Sequence, residues 1–405
     1  MKKFSLLREL QNKGFDVSEF YCEDSLNRDY DKINEKFDSC PLSYFIEEVR
    51  KKLVAIENDF INGKENSTQN AANGIQKLKE SFKVAPDIGL PLQGEIYNTV
   101  VKGARFGKFL IRSSGTNTGK TRCAVGDACN LAYPLKYDWD RRAWIKTPWN
   151  NRVLFVTTEM DIDEIQTIIL AWISGINEEV ILNGSYGALE ESILNKAISI
   201  MEDYKDNFII SHISDPSIEQ LETCIRKNCL LNNCKYVFFD YIFSSPGLLN
   251  QFRDLKIRPD VVLCMMSSAL KDLATELNIY IQSATQLSGD YEAKTGIRNQ
   301  SFLRDAKSIA DKADIGSIMV RIGKEELDII MPIVQKLGKK VPNMVTDVYK
   351  VRRGQYKNVK IWSYVDLGCA RWEDILITDG FYKPIENFKI YDIEQTIDEG
   401  GRIQF

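Results

Sequence analysis

The feature that most constrains the fold is an alternation of short apolar runs with helical segments, which begins after residue 94. Strands of a parallel sheet are nearly continuous in apolar residues, because helices cover both faces of such a sheet. The alternation therefore predicts an α/β fold with a mainly parallel central sheet. Predicted helices between the runs include 121–132 and 161–173. The predicted strands are 108–113, 152–158, 207–213, 235–243, 278–285, 315–322 and 345–351.

The chain divides into three predicted regions. A segment with two prolines and two glycines, 85–94, marks a boundary. We therefore expect a small helical N-terminal region at 1–84, a core domain at 85–372, and a tail at 373–405. Within the core, the segment 133–151 breaks the alternation, and it predicts a surface hairpin with three tryptophans for packing.

The N-terminal region shows a helical repeat. Its apolar residues recur every three or four positions, which predicts a long helix over 41–60 with a narrow apolar stripe. This helix packs either within its own domain or on a neighbouring subunit. A second, shorter helix carries Ile75, Leu78 and Phe82. The stripe of the long helix consists of Leu42, Ile46, Val49, Leu53, Ile56 and Phe60.

Composition excludes several classes of protein. Of the 405 residues, 44% are hydrophobic, yet the longest apolar stretches are too short and too interrupted to span a bilayer. No signal peptide is recognisable, so we expect a cytoplasmic protein without membrane contact. The single histidine, His212, argues against a serine or cysteine triad, whose usual base is histidine. A net charge of −4 means that any nucleic acid must be bound through local basic loops.

The nine cysteines fit reduced thiols in an intracellular chain. Cys224, Cys229 and Cys234 form the one cluster with regular spacing. Zinc sites favour pairs two to four residues apart together with a second pair, which is missing here. Buried helix thiols are therefore favoured over metal binding.

The stretch IRSSGTNTGKTR, 111–122, contains the end of a phosphate-binding loop. Ser114 occupies the position where the strict pattern has its first glycine, and a glycine follows one place later. A predicted strand precedes the loop and a predicted helix follows it, which is the context that such a loop requires. We therefore predict ATP and Mg²⁺ as ligands. The predicted nucleotide-binding residues are Ser114, Gly115, Thr116, Asn117, Thr118, Gly119, Lys120, Thr121 and Arg122.

Three polar residues stand at the ends of other predicted strands. Asp240 ends the run YVFFD, where a carboxylate can hold magnesium; the alternative is an ordinary strand-end aspartate. Glu159 follows the run RVLFVTT, where it can orient a water for attack on phosphate, or instead face solvent. Gln286 follows the run NIYIQSAT, where its amide can sense a terminal phosphate.

These segments, taken in this order, resemble the DnaB-like hexameric replicative helicases, which have a RecA-like ATPase core. The resemblance covers roughly 94–368 and is carried by VLFVTTEM, VFFDYI, LKDLATELNIYIQSATQLS, FLRDAKSIADKADIGSIMVRI and VYKVRRG. In that family another small residue often replaces the first glycine of the loop, so Ser114 is compatible with the match. The first ninety residues and the hairpin depart from the family, which leaves primase partnership in doubt and suggests a phage, prophage or mobile-element helicase.

The resemblance implies a role for each predicted site residue. Lys120 and Thr121 would hold phosphate and Mg²⁺, and Asp240 would bind the metal. Glu159 would activate water, and Gln286 would sense the γ-phosphate. Two further cations, Lys350 and Arg352, would act on the ATP of the neighbouring subunit; Arg353 is the rival of Arg352.

DNA would be bound by two loops, 243–260 and 287–307. The alternative is that both are ordinary surface loops. Because the loops contain few aromatic residues, we expect them to follow the phosphate backbone rather than to stack on bases. The predicted DNA-binding residues are Arg253, Lys256, Arg258, Lys294, Arg298, Arg304 and Lys307.

The expected function is that of an ATP-dependent helicase that moves on single-stranded DNA as a homo-oligomeric ring, with six subunits as in the family. A helicase loader or other replication proteins are the expected partners, and the helix 41–60 could dock on an adjacent subunit. Two alternatives stay open. One is a recombinase-like or signalling ATPase that does not unwind DNA, and the other is a nucleotide-switched assembly factor.

Overall fold

The computed structural model describes residues 2–12, 17–18, 20–42, 44–46, 48–49, 70–84, 87–250, 257–288, 296–303 and 308–391. The chain forms two compact units, Met1–Asn73 and Gly74–Phe405. The first unit contains helices α1 (Lys2–Asn12) and α2 (Tyr30–Ser39). Its small core consists of Leu7, Phe20, Phe37 and Phe45. The predicted long helix 41–60 lies largely outside the described residues.

The helices of the second unit include the predicted short helix that begins at Ile75, which the sequence assigned to the N-terminal region. Their bounds are α3 (Ile75–Val84), α4 (Glu95–Val101), α5 (Lys120–Ala132), α6 (Ile162–Ser174), α7 (Glu178–Leu182), α8 (Ala188–Asp203), α9 (Ile218–Leu231), α10 (Pro246–Asn250), α11 (Pro259–Glu276), α12 (Ile309–Lys312) and α13 (Lys324–Leu337). A short 3₁₀ helix covers Gln300–Phe302.

The centre of the second unit is a nine-stranded sheet of order β11-β10-β9-β8-β1-β7-β6-β4-β5. Strands β5, β4, β6, β7, β1 and β8 are parallel, and β9 to β11 continue from β8 as an antiparallel meander. The strand bounds are β1 (Phe109–Ser114), β2 (Leu135–Asp138), β3 (Ala143–Lys146), β4 (Val153–Thr157), β5 (Phe208–His212), β6 (Tyr236–Asp240), β7 (Tyr280–Ser283), β8 (Ile315–Arg321), β9 (Met344–Val351), β10 (Val359–Asp366) and β11 (Arg371–Asp379).

The mainly parallel sheet confirms the predicted fold class, and each of the seven predicted strands is present. Strands β10 and β11 were not predicted. Strand β11 pairs with β10 along its length, so the predicted start of the tail at residue 373 lies inside the sheet. The segment 133–151 forms the predicted hairpin from β2 and β3. No helix among the described residues is long and apolar enough to span a membrane.

Helices cover both faces of the sheet, because successive side chains of a strand point to opposite faces. On β4, Val153 and Phe155 belong to one core cluster, which includes residues of α5 and α6. Leu154 and Val156 belong to a second cluster, which includes residues of α9 and α11. This double burial explains why the parallel strands are apolar at every position, and it leaves the strand ends as the places where polar groups can gather.

Local signals set the ends of the helices that flank the site. At the start of helix α6 the backbone N–H of Asp161 donates a hydrogen bond of 2.8 Å to Oε2 of Glu164, and the backbone N–H of Glu164 donates one of 3.1 Å to Oδ1 of Asp163. The helix ends at Gly175 with a φ of +66°. Helix α5 begins directly after Gly119, whose φ is +95°. A side chain there would be strained, and its Cβ would lie 2.4 Å from a methyl group of Leu367, so glycine is required at this point.

Candidate active site

The predicted site residues gather at one edge of the sheet. Strands β1, β7, β6 and β4 are consecutive neighbours and parallel, so their carboxyl ends lie side by side. The predicted phosphate-binding loop follows β1, Gln286 follows β7, Asp240 ends β6, and Glu159 follows β4. In open α/β sheets this edge is the usual place for ligands.

The loop between β1 and α5 turns through two left-handed residues, Asn117 with φ +56° and Gly119 with φ +95°. Ser114 is fully buried, and it pairs with Gln286 in an isolated parallel bridge. The Arg321 guanidinium donates a hydrogen bond to the carbonyl oxygen of Asn117 at 3.3 Å. The loop is therefore tied to β7 and β8 on both sides of β1. Ser114, which stands where the strict loop pattern has its first glycine, is the last residue of β1.

Thr121 and Asp240 contact each other at the start of α5. The Thr121 hydroxyl donates a hydrogen bond of 2.5 Å to Oδ2 of Asp240. The pKa of Asp240 is raised to about 6, with burial as the largest cause. The nearby Glu159 carboxylate contributes to this rise in the pKa, while Thr121 and Lys120 oppose it. A carboxylate in this setting gains stability from any cation that reaches it.

Lys120 lies beside the two carboxylates without pairing to either. Its ammonium group lies 4.7 Å from the centre of the Tyr241 ring, a cation–π contact. Burial lowers the pKa of Lys120, while Asp240 and Glu159 act in the opposite direction. Among the residues that the structure describes, Lys120 forms no ion pair within 4.0 Å, so its charge is available to an anion.

A tyrosine that was not predicted links Glu159 to Gln286. The Tyr241 hydroxyl donates a hydrogen bond of 2.8 Å to Oε1 of Glu159. It accepts one of 2.7 Å from the Gln286 side-chain amide. The only sequence signal for Tyr241 is its place directly after the aspartate that ends β6.

Arg122, the last residue of the predicted loop, packs away from the phosphate-binding turn. Its guanidinium pairs with Glu178 and donates a hydrogen bond of 3.1 Å to the carbonyl oxygen of Leu367. These contacts hold the turn between β10 and β11 over the start of α5. The remaining predicted loop residues, 115–118, form the turn itself.

These groups fit the predicted ligands. A hydroxyl and a carboxylate in contact form the hard oxygen donor set that Mg²⁺ prefers. The N-terminus of α5, the left-handed turn before it and the unpaired ammonium of Lys120 together suit a phosphate group.

The predicted trans-acting cations lie at the other edge of the sheet. Lys350 pairs in register with Gly316 near the start of β8, whereas the phosphate-binding loop follows the end of β1. Lys350 donates hydrogen bonds to the carbonyl oxygens of Ala310 and Asp311 at 2.7 and 3.1 Å. These cations therefore cannot reach the site of their own chain.

Arg352 and Arg353 follow β9 and differ in their surroundings. Arg352 is half exposed, donates to the carbonyl oxygen of Asp311 at 3.1 Å, and lies 3.6 Å from Oδ1 of Asp314. Arg353 is exposed and has a left-handed backbone with φ +61°. Both guanidinium groups are thus at the surface of the second unit.

The structure describes two of the predicted DNA-binding residues, Arg258 and Arg298. Arg258 lies at the N-terminus of α11, 78% exposed, and pairs with Asp260. The prediction for Arg298 is wrong. Its side chain is 2% exposed and pairs with Glu326 and Asp347, because a guanidinium at this buried position needs carboxylate partners, so it cannot contact a phosphate. Arg253, Lys256, Lys294, Arg304 and Lys307 lie outside the described residues.

Of the three clustered cysteines, Cys224 and Cys229 lie in α9, and Cys234 lies between α9 and β6. Burial raises the pKa of Cys229 to about 11 and that of Cys234 to about 12. Within the described ranges, no group of three or more His, Cys, Asp or Glu side chains could hold a metal ion.

The fold is that of the RecA-like P-loop ATPases. The model of the DnaB-like helicase C-terminal domain family matches residues 89–366, and the chain belongs to this family. Among curated relatives, the chain is 36% identical over 386 residues to an uncharacterized protein derived from the SPbeta prophage of Bacillus subtilis strain 168. That match covers 94% of this chain and 76% of the relative.

A second relative is a probable plasmid replicative DNA helicase of Chlamydia trachomatis serovar L2, 26% identical over 210 residues. The match spans 52% of this chain and 42% of that relative's length. The matching family model confirms the expected family. One of the two relatives is prophage-derived and the other is a plasmid protein.

Two solved structures share the fold. One, an ATPase domain, has a TM-score of 0.58 at 16% identity, over 76% of this chain and 99% of that one. The other, a DnaB-like replicative helicase described with its interactions with primase, has a TM-score of 0.57 at 16% identity, over 92% of this chain and 83% of that one.

Proposed function

We propose that this protein is an ATP-driven DNA helicase of the replicative type, which moves along single-stranded DNA as a ring. ATP would be hydrolysed between neighbouring subunits. The observation that carries this proposal is the meeting of Thr121 with Asp240 at 2.5 Å, next to an unpaired Lys120 and the linked pair of Glu159 and Gln286.

Each group has a chemical task in the proposed reaction. The loop amides and Lys120 would bind the β- and γ-phosphates. Thr121 and Asp240 would hold Mg²⁺, which neutralises charge on the phosphates when bound. Glu159 accepts a proton from the attacking water and orients it. Gln286, which follows β7 and forms a bridge with Ser114 before the loop, would detect the γ-phosphate.

A second subunit would complete the site. Lys350 and Arg352 lie at the sheet edge opposite to the phosphate-binding loop, so a cation of this pair can serve only the ATP of a neighbouring chain. A cation supplied in this way can be worth about 10³–10⁵ in rate. Hydrolysis would then depend on ring assembly.

DNA would be bound through basic side chains. Exposed Arg258 remains a candidate phosphate contact. The other candidates are Arg253, Lys256, Lys294, Arg304 and Lys307. The mobile-element relatives favour a role in the replication of such an element rather than in a general signalling pathway.

The decisive test is steady-state ATP hydrolysis with and without oligo-dT. We expect single-stranded DNA to stimulate the wild-type protein and Lys120→Ala to lose activity with its fold intact. Lys146→Ala, which alters an exposed lysine of the hairpin, is the matched control and should behave as wild type. A wild-type protein that binds ATP but never turns it over would support the assembly-factor alternative instead.

Native mass spectrometry with a non-hydrolysable ATP analogue and oligo-dT tests the ring. The proposal predicts a closed complex of fixed stoichiometry, with one DNA strand bound. Complexes that grow with the length of the DNA would identify a filament former and would refute the helicase assignment.

A further inference from the structure

The three hydrogen-bonding groups of Glu159, Tyr241 and Gln286 form one directed chain. The side-chain N–H of Gln286 donates a hydrogen bond of 2.7 Å to the hydroxyl oxygen of Tyr241. The single hydroxyl proton of Tyr241 then points to Oε1 of Glu159 at 2.8 Å. The Nε2 group of Gln286 can only donate, and a carboxylate oxygen of Glu159 can only accept. The hydrogen bonds therefore run from Gln286 through Tyr241 to Glu159.

The members of this chain differ in how firmly they are held. Tyr241 is 5% exposed, and its ring packs against Phe243 with centroids 5.3 Å apart. The next residue, Ile242, donates its backbone N–H to Ala284 beyond β7. Glu159, in contrast, is exposed to solvent. Within the described part of the chain, the Tyr241 hydroxyl is the hydrogen-bond donor that restrains the Glu159 carboxylate.

A proton acceptor must be oriented before it can contribute fully to catalysis. A free glutamate samples many rotamers, and a displacement of about 1 Å can cost 10²-fold in rate. A rigid, buried tyrosine is suited to remove this freedom, because the hydroxyl fixes one carboxylate oxygen and leaves the other for water. The face of the same ring lies 4.7 Å from the ammonium of Lys120, so one side chain contacts three predicted members of the site.

We propose that Tyr241 is a positioning residue for ATP hydrolysis, which orients Glu159 and connects it to Gln286. This role rests on the proposed function of the site. Gln286 also bridges to Ser114 at the start of the phosphate-binding loop. A γ-phosphate that draws the Gln286 amide away from Tyr241 changes the partners of the hydroxyl, and this change reaches the carboxylate that activates water.

Tyr241→Phe is the sharpest test, because it removes only the hydroxyl and keeps the ring next to Lys120 and Phe243. We expect kcat to fall about 10- to 100-fold, while the Kd for a fluorescent ATP analogue stays within about twofold. Thermal melting verifies the fold. Tyr97→Phe is the matched control: its hydroxyl is also buried, 3.1 Å from the hydroxyl of Ser317, but lies outside the candidate site.

A double-mutant comparison separates positioning from a general loss of structure. If the hydroxyl acts through Glu159, then Tyr241→Phe should lower the residual rate of Glu159→Gln little further, since the two changes remove one function. If the rate losses of the two single variants multiply in the double variant, the proposal is contradicted. An unchanged or increased kcat in Tyr241→Phe, or a fall in kcat that Tyr97→Phe reproduces, would also contradict it.

The wild-type and Lys120→Ala proteins, measured in the same assay, distinguish a failure of the proposed function from a failure of the positioning role alone. Absent wild-type turnover refutes the proposed function, and the positioning role fails with it. Normal wild-type turnover that is lost in Lys120→Ala but kept in Tyr241→Phe refutes the positioning role alone.

Discussion

Two clusters of charged side chains in the second unit differ in how completely their charges are paired. The first, here called the core cluster, has two cations and two carboxylates, all at most 6% exposed. Each cation contacts both carboxylates at 2.9 or 3.1 Å. Its members are Arg298, Glu326, Asp347 and Lys360.

The second, here called the site cluster, has one cation and two carboxylates, Lys120, Asp240 and Glu159. Lys120 lies over the ring of Tyr241 rather than on a carboxylate, and burial lowers its pKa. Burial raises the pKa of Asp240 to about 6. Charges that are buried without full compensation are costly, and such groups concentrate at functional sites.

The contrast teaches how to separate structural from functional charge. A closed set of ion pairs stabilises one arrangement of the chain and leaves no unpaired charge for a ligand. An open set leaves charge available to a ligand. Under the proposed function, phosphate, Mg²⁺ and a cation from another subunit would complete the site cluster. Residue type alone does not distinguish them, since each set contains an aspartate, a glutamate and a lysine.

The largest effect is expected when the site cluster loses its proposed external cation. Arg352→Ala should lower ATP hydrolysis by about 10³–10⁵ without weakening nucleotide binding, because the phosphate that it serves belongs to the next subunit. Hydrolysis assays together with binding of a fluorescent ATP analogue measure both quantities. Arg353→Ala, which changes the adjacent exposed arginine, is the control and should stay active.

Mixing subunits sharpens this prediction. Arg352→Ala and Glu159→Gln damage opposite sides of a shared site, so mixed rings should contain some intact sites and recover part of the activity. A mixture with no recovered activity would count against action in trans. If instead Arg353→Ala is the inactive variant, the catalytic cation is Arg353.

The core cluster should respond in stability rather than in chemistry. Arg298→Met leaves two buried carboxylates with one cation, which should cost about 3–5 kcal/mol of unfolding free energy. Urea denaturation measures this loss. Arg258→Met is the matched control, since its guanidinium is exposed and its removal should leave stability unchanged. Equal stability of the two variants would show that the core cluster is not a closed structural set.

The smallest effect concerns a third cation, Lys136 on β2, which lies 5.3 Å from the centre of the Trp172 ring. Burial lowers its pKa from 10.5 to about 8, with Arg371 adding to the shift. Between these values the unfolded chain binds more protons than the folded one, so stability rises as pH rises from 8 to 10.5. The cost of the charge is fully present below pH 8.

Lys136→Met should therefore stabilise the protein at pH 7, by roughly 1–2 kcal/mol after allowance for partial exposure of the side chain. The advantage over wild type should shrink as pH approaches 10.5. Urea denaturation of both proteins at several pH values tests this. Lys146→Met, on the partner strand of the same hairpin, should show no such trend.

Much of the fold and of the site could be predicted, because the signals are local. A parallel strand buried on both faces must be apolar throughout, so β1, β4, β6 and β7 were visible as runs, and the polar residue at each end was conspicuous. Where such strands are neighbours, their ends must converge. Asp240, Glu159 and Gln286 could therefore be chosen as candidates from the sequence alone.

Other features had no local signal. Strands β10 and β11 mix polar and apolar residues, and they join the sheet only because β10 pairs with β9 and β11 pairs with β10. Arg298 resembled its basic neighbours in a predicted DNA loop, yet partners 28 and 49 residues away draw it into the core. Tyr241 could pass for one more aromatic core residue.

The sequence by itself determined the fold class and the candidate site residues. The candidate residues belong to short segments whose conformations follow from their own sequences. These segments are the phosphate-binding loop, with its lysine and threonine, and the strand ends that carry the carboxylates. Only the tertiary structure decided which charges are paired and which stay open, because a salt bridge or a hydrogen-bonded chain depends on distances between segments far apart in the chain. The same arginine or tyrosine is structural or functional according to the groups that folding places beside it.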